Sequence, residues 1–73
     1  MKFDITNIII RHTRKSGFNY EIFGVVNGQN VMAYTNDSEA FDYLKYNDDS
    51  EDYKQALMHC ETKLMEAYID GGN

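Results

Sequence analysis

The chain contains no proline, no tryptophan and a single cysteine, Cys60. One cysteine cannot form a disulfide within the chain, which argues against a secreted scaffold held by disulfides. No linker-like segment divides the 73 residues, so we expect one domain over residues 1–73. A chain of this size buries only about 60 % of its unfolded surface. Its core must therefore be thin, and stability must come from the packing of apolar side chains or from a partner subunit.

Long apolar runs are also missing from the sequence. The longest aliphatic run, residues 8–10, holds three isoleucines, whereas a membrane-spanning helix needs about 20 apolar residues. The opening Met1-Lys2-Phe3-Asp4 places an acid where a signal peptide would begin its apolar stretch. We therefore expect a cytoplasmic protein with no membrane partner.

Basic residues are few and unevenly placed. Twelve acids against seven Lys and Arg residues give a net charge of −5, which disfavours bulk binding to nucleic acid or to anionic membranes. Residues 1–20 hold four of the bases and one acid, whereas residues 36–52 hold seven of the acids and one base. This asymmetry predicts an acidic surface in the second half of the chain.

Alternation of apolar and polar residues predicts three strands, over about residues 3–13, 18–26 and 30–35. A polar turn ending at Gly17 separates the first two strands, and glycine is free to adopt positive φ there. Asn27-Gly28 separates the second and third strands and is typical of a type I′ hairpin turn. Short turns between consecutive strands predict an antiparallel β-meander.

The first two predicted strands differ in how their apolar residues alternate. In the first strand, Phe3 and Ile5 have one parity, while Ile8 and Ile10 have the other. Either both faces of this strand are covered, or a bulge near Asn7 switches the parity. In the second strand, the even-numbered apolar residues form the expected core-facing set: Phe18, Tyr20, Ile22 and Val26.

The spacing of apolar residues becomes helical after the third strand, with helices predicted over about residues 37–46 and 50–69. The first helix begins in a capping sequence, and Glu39 can bond back to the free amide of Asn36. Asp48 and Glu51 have the same spacing before the second helix. A single kinked helix is the alternative, but acids at both starts favour two helices.

The expected fold class is α+β: an antiparallel three-stranded β-meander followed by one short and one long helix packed on one sheet face. The long helix carries one apolar stripe at steps of three and four, which should lie across the sheet. Its members are Tyr53, Leu57, Cys60, Leu64 and either Ala67 or Tyr68.

Signatures of catalysis and metal binding are lacking. Among the candidate ligands His12, His59 and Cys60, the last two are neighbours on a helix, and their side chains diverge by about 100°. We interpret them as a surface histidine and a core cysteine. The acidic run beginning at residue 47 lacks the glycine of a calcium loop and has Met58 where the bidentate Glu belongs. With no glycine-rich phosphate loop either, we expect no enzymatic activity, no cofactor and no metal.

Tyrosines are abundant, with six in the chain, and several lie among the clustered acids. Tyrosine is enriched at interface anchors because it is amphipathic and loses little rotamer entropy. An acidic face with tyrosines can dock onto a basic groove that normally holds nucleic acid. The alternative is that the acids only solubilise the protein and the tyrosines belong to the core. The expected partner-binding residues are Asp37, Glu39, Asp42, Tyr43, Tyr46, Asp48, Asp49, Glu51 and Asp52.

Two further functions stay open from the residues alone. The first is a homo-oligomeric interaction module, such as a homodimer, in which a sheet edge or the helix stripe pairs with an identical chain. The second is a small nucleic-acid-binding protein that uses its basic first turn. The residues for this second function would be Arg11, His12, Arg14 and Lys15, with Tyr20, Phe23 and Tyr34 as stacking rings.

The hairpin and the start of the first helix resemble a family of small anti-CRISPR proteins that act against type I-F surveillance complexes. The matching residues are Val25-Val26-Asn27-Gly28, then Val31, Ala33 and Asp37-Ser38, within a likeness over roughly residues 20–45. The resemblance implies a phage-encoded inhibitor in the cytoplasm of an infected bacterial host. Its partner would be a protein or ribonucleoprotein complex, blocked from hybridising with target DNA, with no direct nucleic-acid contact. The family's contact residues have no aligned counterparts here, so none is transferred.

Overall fold

The computed structural model describes residues 3–46 and 50–71, without the side chain of Tyr46. Three strands are followed by two helices, which confirms the predicted α+β class. The elements are β1 (Ile5–His12), β2 (Tyr20–Val26), β3 (Gln29–Thr35), α1 (Ser38–Tyr46) and α2 (Glu51–Gly71). The strands form one antiparallel sheet in the order β1-β2-β3, which is the predicted meander. Helix α2 packs on β2 and β3, and α1 packs on α2.

A bulge in β1 explains why its apolar residues change parity. Asn7 has a φ of 57°, and the register with β2 shifts by one residue between Thr6 and Ile9. Asparagine tolerates this left-handed conformation better than most residues. As a result, Ile5 and Ile8 both pack against the core despite their opposite parity. The bulge, which was one of the two predicted alternatives, is confirmed.

The hairpin between β2 and β3 also anchors the start of the chain. Asn27 and Gly28 have φ values of 51° and 84°, as a type I′ turn requires. The Asn27 side-chain oxygen accepts a hydrogen bond from the Asp4 amide at 2.9 Å, and the Asn27 amide donates to the Asp4 carbonyl at 2.8 Å. The turn therefore ties the residues before β1 to the far end of β2.

The core lies between one face of the sheet and α2. Its fully buried side chains are Ile22 and Val26 from β2, and Cys60 and Leu64 from α2. The predicted helix stripe is thus confirmed at its centre, but Ala56 is buried one turn before Cys60, while Tyr53 and Leu57 are only half-buried. Phe18 was wrongly placed in the core set. It precedes β2 and is 40 % exposed.

The helix caps differ from those predicted. Asp37 caps α1, because its Oδ1 accepts hydrogen bonds from the amides of Glu39 and Ala40 at 3.0 and 3.1 Å. Asn36 instead accepts a hydrogen bond from the Asn19 amide at 2.7 Å and donates one to the Gly17 carbonyl at 3.1 Å, which holds the first turn against the end of β3.

Helix α2 begins with a serine cap. The Ser50 Oγ accepts a hydrogen bond from the Tyr53 amide at 3.1 Å. The predicted pairing of Asp48 with Glu51 lies outside the described residues. Two separate helices, each with its own cap, replace the single kinked helix considered as the alternative.

The buried Cys60 thiol leads to a first prediction. Burial, aided by the negative charges of Asp37 and Glu61, raises the pKa of Cys60 from its ordinary 9.0 to about 12. The folded state therefore holds a proton that the unfolded chain releases above pH 9. The contribution of the Cys60 thiol to the free energy of unfolding is therefore fully present below pH 9 and is lost as the pH rises towards 12. We expect the unfolding free energy to fall more steeply over this window in the wild type than in Cys60→Ala, measured by urea titration at each pH.

The same thiol should be unreactive in the folded protein. The thiolate is the nucleophile, and Cys60 is both protonated and inaccessible. Alkylation by iodoacetamide at pH 8, followed by mass spectrometry, should occur only through transient opening of the fold, so it should be slow in native buffer and fast in denaturant. Rapid native-state labelling would contradict the buried placement.

Candidate acidic groove between the helices

A groove of about 310 Å³ lies between α1 and α2 and gathers part of the predicted acidic cluster. Its floor contains Ala40 and Ala56, both buried, whose small side chains let the two helices approach closely. We call this feature the interhelical groove. Its lining residues are Asp37, Glu39, Ala40, Tyr43, Asp52, Gln55, Ala56 and His59.

One end of the groove is held by a hydrogen-bond network. The His59 Nε2 lies 2.8 Å from the Thr35 Oγ1, and the His59 Nδ1 lies 3.7 Å from the Asp37 Oδ2. The Thr35 hydroxyl also accepts a hydrogen bond from the Asp37 amide at 3.2 Å. The network joins the end of β3, the start of α1 and the middle of α2. Its hydrogen bonds hold the Asp37 backbone and the His59 ring to Thr35, which places the Asp37 carboxylate beside α2.

This network has the hydroxyl–imidazole–carboxylate order of a catalytic triad, but its hydroxyl is inaccessible. Thr35 is 4 % exposed and already bonded to both His59 and the Asp37 amide. A nucleophile must reach its substrate, so the arrangement serves packing and capping. His59 was interpreted as a surface histidine. Its side chain is 28 % exposed and lines the groove, and it is also bonded to Thr35 at the end of β3.

The structure brings together four of the nine predicted partner-binding residues. Asp37, Glu39 and Tyr43 line the α1 side of the groove, and Asp52 lines the α2 side. Glu39, Tyr43 and Asp52 are exposed, while Asp37 is engaged as the helix cap. Three carboxylates around one groove make it a site that favours cationic groups.

Two further predicted residues, Asp42 and Glu51, are described by the structure and do not line this groove. Asp42 is exposed elsewhere on α1. Glu51 is exposed at the start of α2, where its Oε2 accepts a hydrogen bond from the Gln55 side-chain nitrogen at 3.4 Å. Three predictions fall outside the described residues: the side chain of Tyr46, Asp48 and Asp49.

Sequence reasoning missed the groove residues that are neither acidic nor aromatic. Ala40 and Ala56 had a usable signal, because a small residue on each of two consecutive helices marks a point of close approach. Gln55 and His59 lie on the same face of α2 as Asp52 and Ala56, so helical spacing could have identified them. The pairing of the two helix faces itself depends on tertiary packing.

A second cavity of about 480 Å³ lies between β1 and the two helices. Its lining is mainly apolar, and Lys45 is its one charged residue among those the structure describes. Lys45 and Tyr53 are the polar side chains among its described lining residues. Within residues 3–46 and 50–71, no three His, Cys, Asp or Glu side chains are grouped to hold a metal ion.

The fold and the groove define a small α+β domain with an acidic surface between its helices. Over the described part of the chain, neither helix combines the length and the apolar character needed to cross a membrane. No family model matches the chain, and the searches of curated proteins and of solved structures gave no match.

Proposed function

We propose that the protein is a non-enzymatic, phage-type inhibitor that binds a nucleic-acid-handling defence complex of a bacterial host. The observation that carries this proposal is the interhelical groove, which is lined by Asp37, Glu39 and Asp52 together with the exposed Tyr43. The groove would receive basic side chains that otherwise contact nucleic acid. The inhibitor would then act by occlusion or by charge mimicry.

The chemistry of the groove supports a basic protein partner. Carboxylates form strong, bidentate hydrogen bonds with arginine, and a neighbouring tyrosine ring can stack on the guanidinium group. Glu39 and Asp52 are carried by two packed helices, so their backbone positions are set before binding, and mainly their side chains must be ordered. Electrostatic attraction between an acidic protein and a basic surface also speeds association.

The sharpest form of the proposal is an anti-CRISPR protein that acts on a type I-F surveillance complex. Its support is the resemblance carried by Val25-Val26-Asn27-Gly28, Val31, Ala33 and Asp37-Ser38. The element order β1-β2-β3-α1-α2 agrees with that likeness, in which the sheet precedes the helices. In this form, the protein works in the cytoplasm of the infected bacterium and prevents target DNA from hybridising.

A charge-reversal experiment tests the groove. We expect Glu39→Lys/Asp52→Lys to weaken binding to a purified type I-F surveillance complex by at least about tenfold, because repulsion replaces two attractive contacts. Asp37 is left intact because it caps α1. Binding is measured by surface plasmon resonance, and inhibition by the loss of target-DNA binding in an electrophoretic mobility assay.

The matched control is Glu66→Lys/Asp70→Lys, at two exposed acids near the other end of α2. Both double variants add four units to the net charge of −5, so a general charge effect would weaken them equally. Selective loss in the groove variant supports the proposal. Absence of wild-type binding removes the type I-F form, and equal behaviour of both variants removes the groove as the site.

A further inference from the structure

The face of the sheet opposite α2 carries apolar, aromatic and charged side chains and is partly exposed. The helices pack on the face that holds Ile22 and Val26, so alternate residues of each strand point to the other side. Ile9 and Met32 on this side are 58 % and 41 % exposed. We call this surface the outer sheet face. Its residues include Ile9, Arg11, Glu21, Phe23, Val25, Met32 and Tyr34.

Aromatic rings and cations are paired on this face. The Arg11 guanidinium lies 4.6 Å from the ring centroid of Phe23. Phe18 stacks on Tyr34 with centroids 5.2 Å apart and an interplanar angle of 29°, and the Lys15 Nζ lies 5.8 Å from the Tyr34 ring centroid. Phe18 was predicted to lie in the core, but its ring instead extends the outer sheet face beside Tyr34.

Acidic charge on the outer sheet face is neutralised locally. Arg11 Nε donates to the Glu21 Oε1 at 2.7 Å, and Thr13 Oγ1 donates to the Glu21 Oε2 at 3.0 Å. These hydrogen bonds hold the pKa of Glu21 below its usual range. Arg14 and Lys15 in the adjoining turn add two further positive charges. The outer sheet face and its turn are therefore cationic, although the whole chain is acidic.

We propose that the outer sheet face binds single-stranded nucleic acid. Bases would stack on Phe18 and Phe23, while phosphates would contact Lys15 and Arg14. Tyr34 covers one face of Phe18 and Arg11 covers one face of Phe23, so a base would stack on the opposite ring face. Phosphates would contact the cations, whereas an acidic protein surface would contact only the cations. Stacking on aromatic rings beside cationic side chains is how sequence-tolerant single-strand binders work.

This site does not depend on the interhelical groove, which lies in the helical layer. It also revises the residues named for nucleic-acid binding. Tyr20 cannot take part, because it faces the helices and stacks on Phe41 with centroids 4.7 Å apart. His12 packs in the same cluster, 4.7 Å from the Phe41 ring centroid.

The test is fluorescence anisotropy with labelled oligothymidylate and oligouridylate at low salt. Wild-type protein should bind both, and affinity should fall as salt rises. Phe18→Leu/Phe23→Leu keeps apolar side chains but removes the stacking rings, and should lower the affinity by about 5- to 150-fold per stacked base. Arg14→Gln/Lys15→Gln should flatten the slope of log K against log salt by about 0.7 for each phosphate that is no longer bound.

Ile69→Ala is the control, since Ile69 is an exposed apolar residue on α2, away from the sheet. It should bind like the wild type, and circular dichroism should show the leucine variant folded. Three results would overturn the proposal: no wild-type binding at low salt, unchanged affinity in the leucine variant, or equal binding of duplex DNA or heparin. Sedimentation velocity tests whether the protein self-associates through this face instead. If the wild type self-associates and Phe18→Leu/Phe23→Leu does not, the face binds a second copy of the chain and the proposal is overturned.

Discussion

Leu64→Ala is expected to lower the free energy of unfolding by about 2–5 kcal/mol. Leu64 is fully buried and lies where α2 crosses the sheet beside Gly24. Truncation removes apolar contacts and leaves a cavity that a thin core cannot close. A domain of 73 residues has a total stability of roughly 4–11 kcal/mol, so this single change removes a large share of it. Urea denaturation followed by circular dichroism measures the loss.

Ile69→Ala on the same helix serves as the control for this experiment. Ile69 is 65 % exposed, and its truncation should change stability by no more than about 0.5 kcal/mol. Both variants lose side-chain atoms from α2 and both gain the helix propensity of alanine. A difference between them therefore reports burial at Leu64. Equal, small losses would contradict the position of α2 on the sheet.

The order of strands and helices was predictable because local signals agree with the tertiary structure. The Asn27-Gly28 turn fixes the β2–β3 hairpin through backbone conformation alone. The change of apolar parity in β1 predicted the bulge at Asn7 as one of two alternatives. Choosing between them required knowing that only one face of the sheet is covered by helices.

Neither the cap of α1 nor the start of β2 was predictable. The cap depends on contacts distant in sequence, and the start of β2 depends on a turn hydrogen bond that apolar alternation does not reveal. Asn36 and Asp37 are both suitable capping residues. The Asn36 side chain bonds to Gly17 and Asn19 instead, so it does not cap α1. Phe18 continues the parity of β2. However, its amide donates a hydrogen bond to the Lys15 carbonyl at 3.2 Å, which places it in the turn instead of the strand.

The acids were predicted to be clustered because they lie in one segment of sequence, and three of them line a common groove. Counting charges identifies the acids but does not show which of them face a common space. That selection depends on the approach of α1 to α2 over Ala40 and Ala56, and it separates Glu39 and Asp52 from Asp42. Four residues on or beside the outer sheet face were among those named for nucleic-acid binding: Arg11, Lys15, Phe23 and Tyr34. Alternation alone does not show that this face stays uncovered by helices.

Gly24→Val is expected to lower the free energy of unfolding by about 1–3 kcal/mol, through overpacking. Gly24 lies in β2 with its missing side chain directed at α2. A Cβ at this position would stand 2.6 Å from the Leu64 Cδ1 and 3.5 Å from the Thr6 carbonyl oxygen. Valine adds two methyl groups in the same space, which outweighs its favourable strand propensity. Thermal and urea unfolding measure the effect.

The closeness of Gly24 to Leu64 makes the two substitutions non-additive. Leu64→Ala opens the space that the new valine side chain would need, so the double variant should be more stable than the sum of the single losses predicts. We expect a coupling of about 0.5–3 kcal/mol in a double-mutant cycle. Gly24→Val combined with Ile69→Ala should show none, because Ile69 is exposed. Additive losses for Gly24 and Leu64 would mean that α2 does not cross β2 at this glycine, and the core between the sheet and α2 would need a different packing.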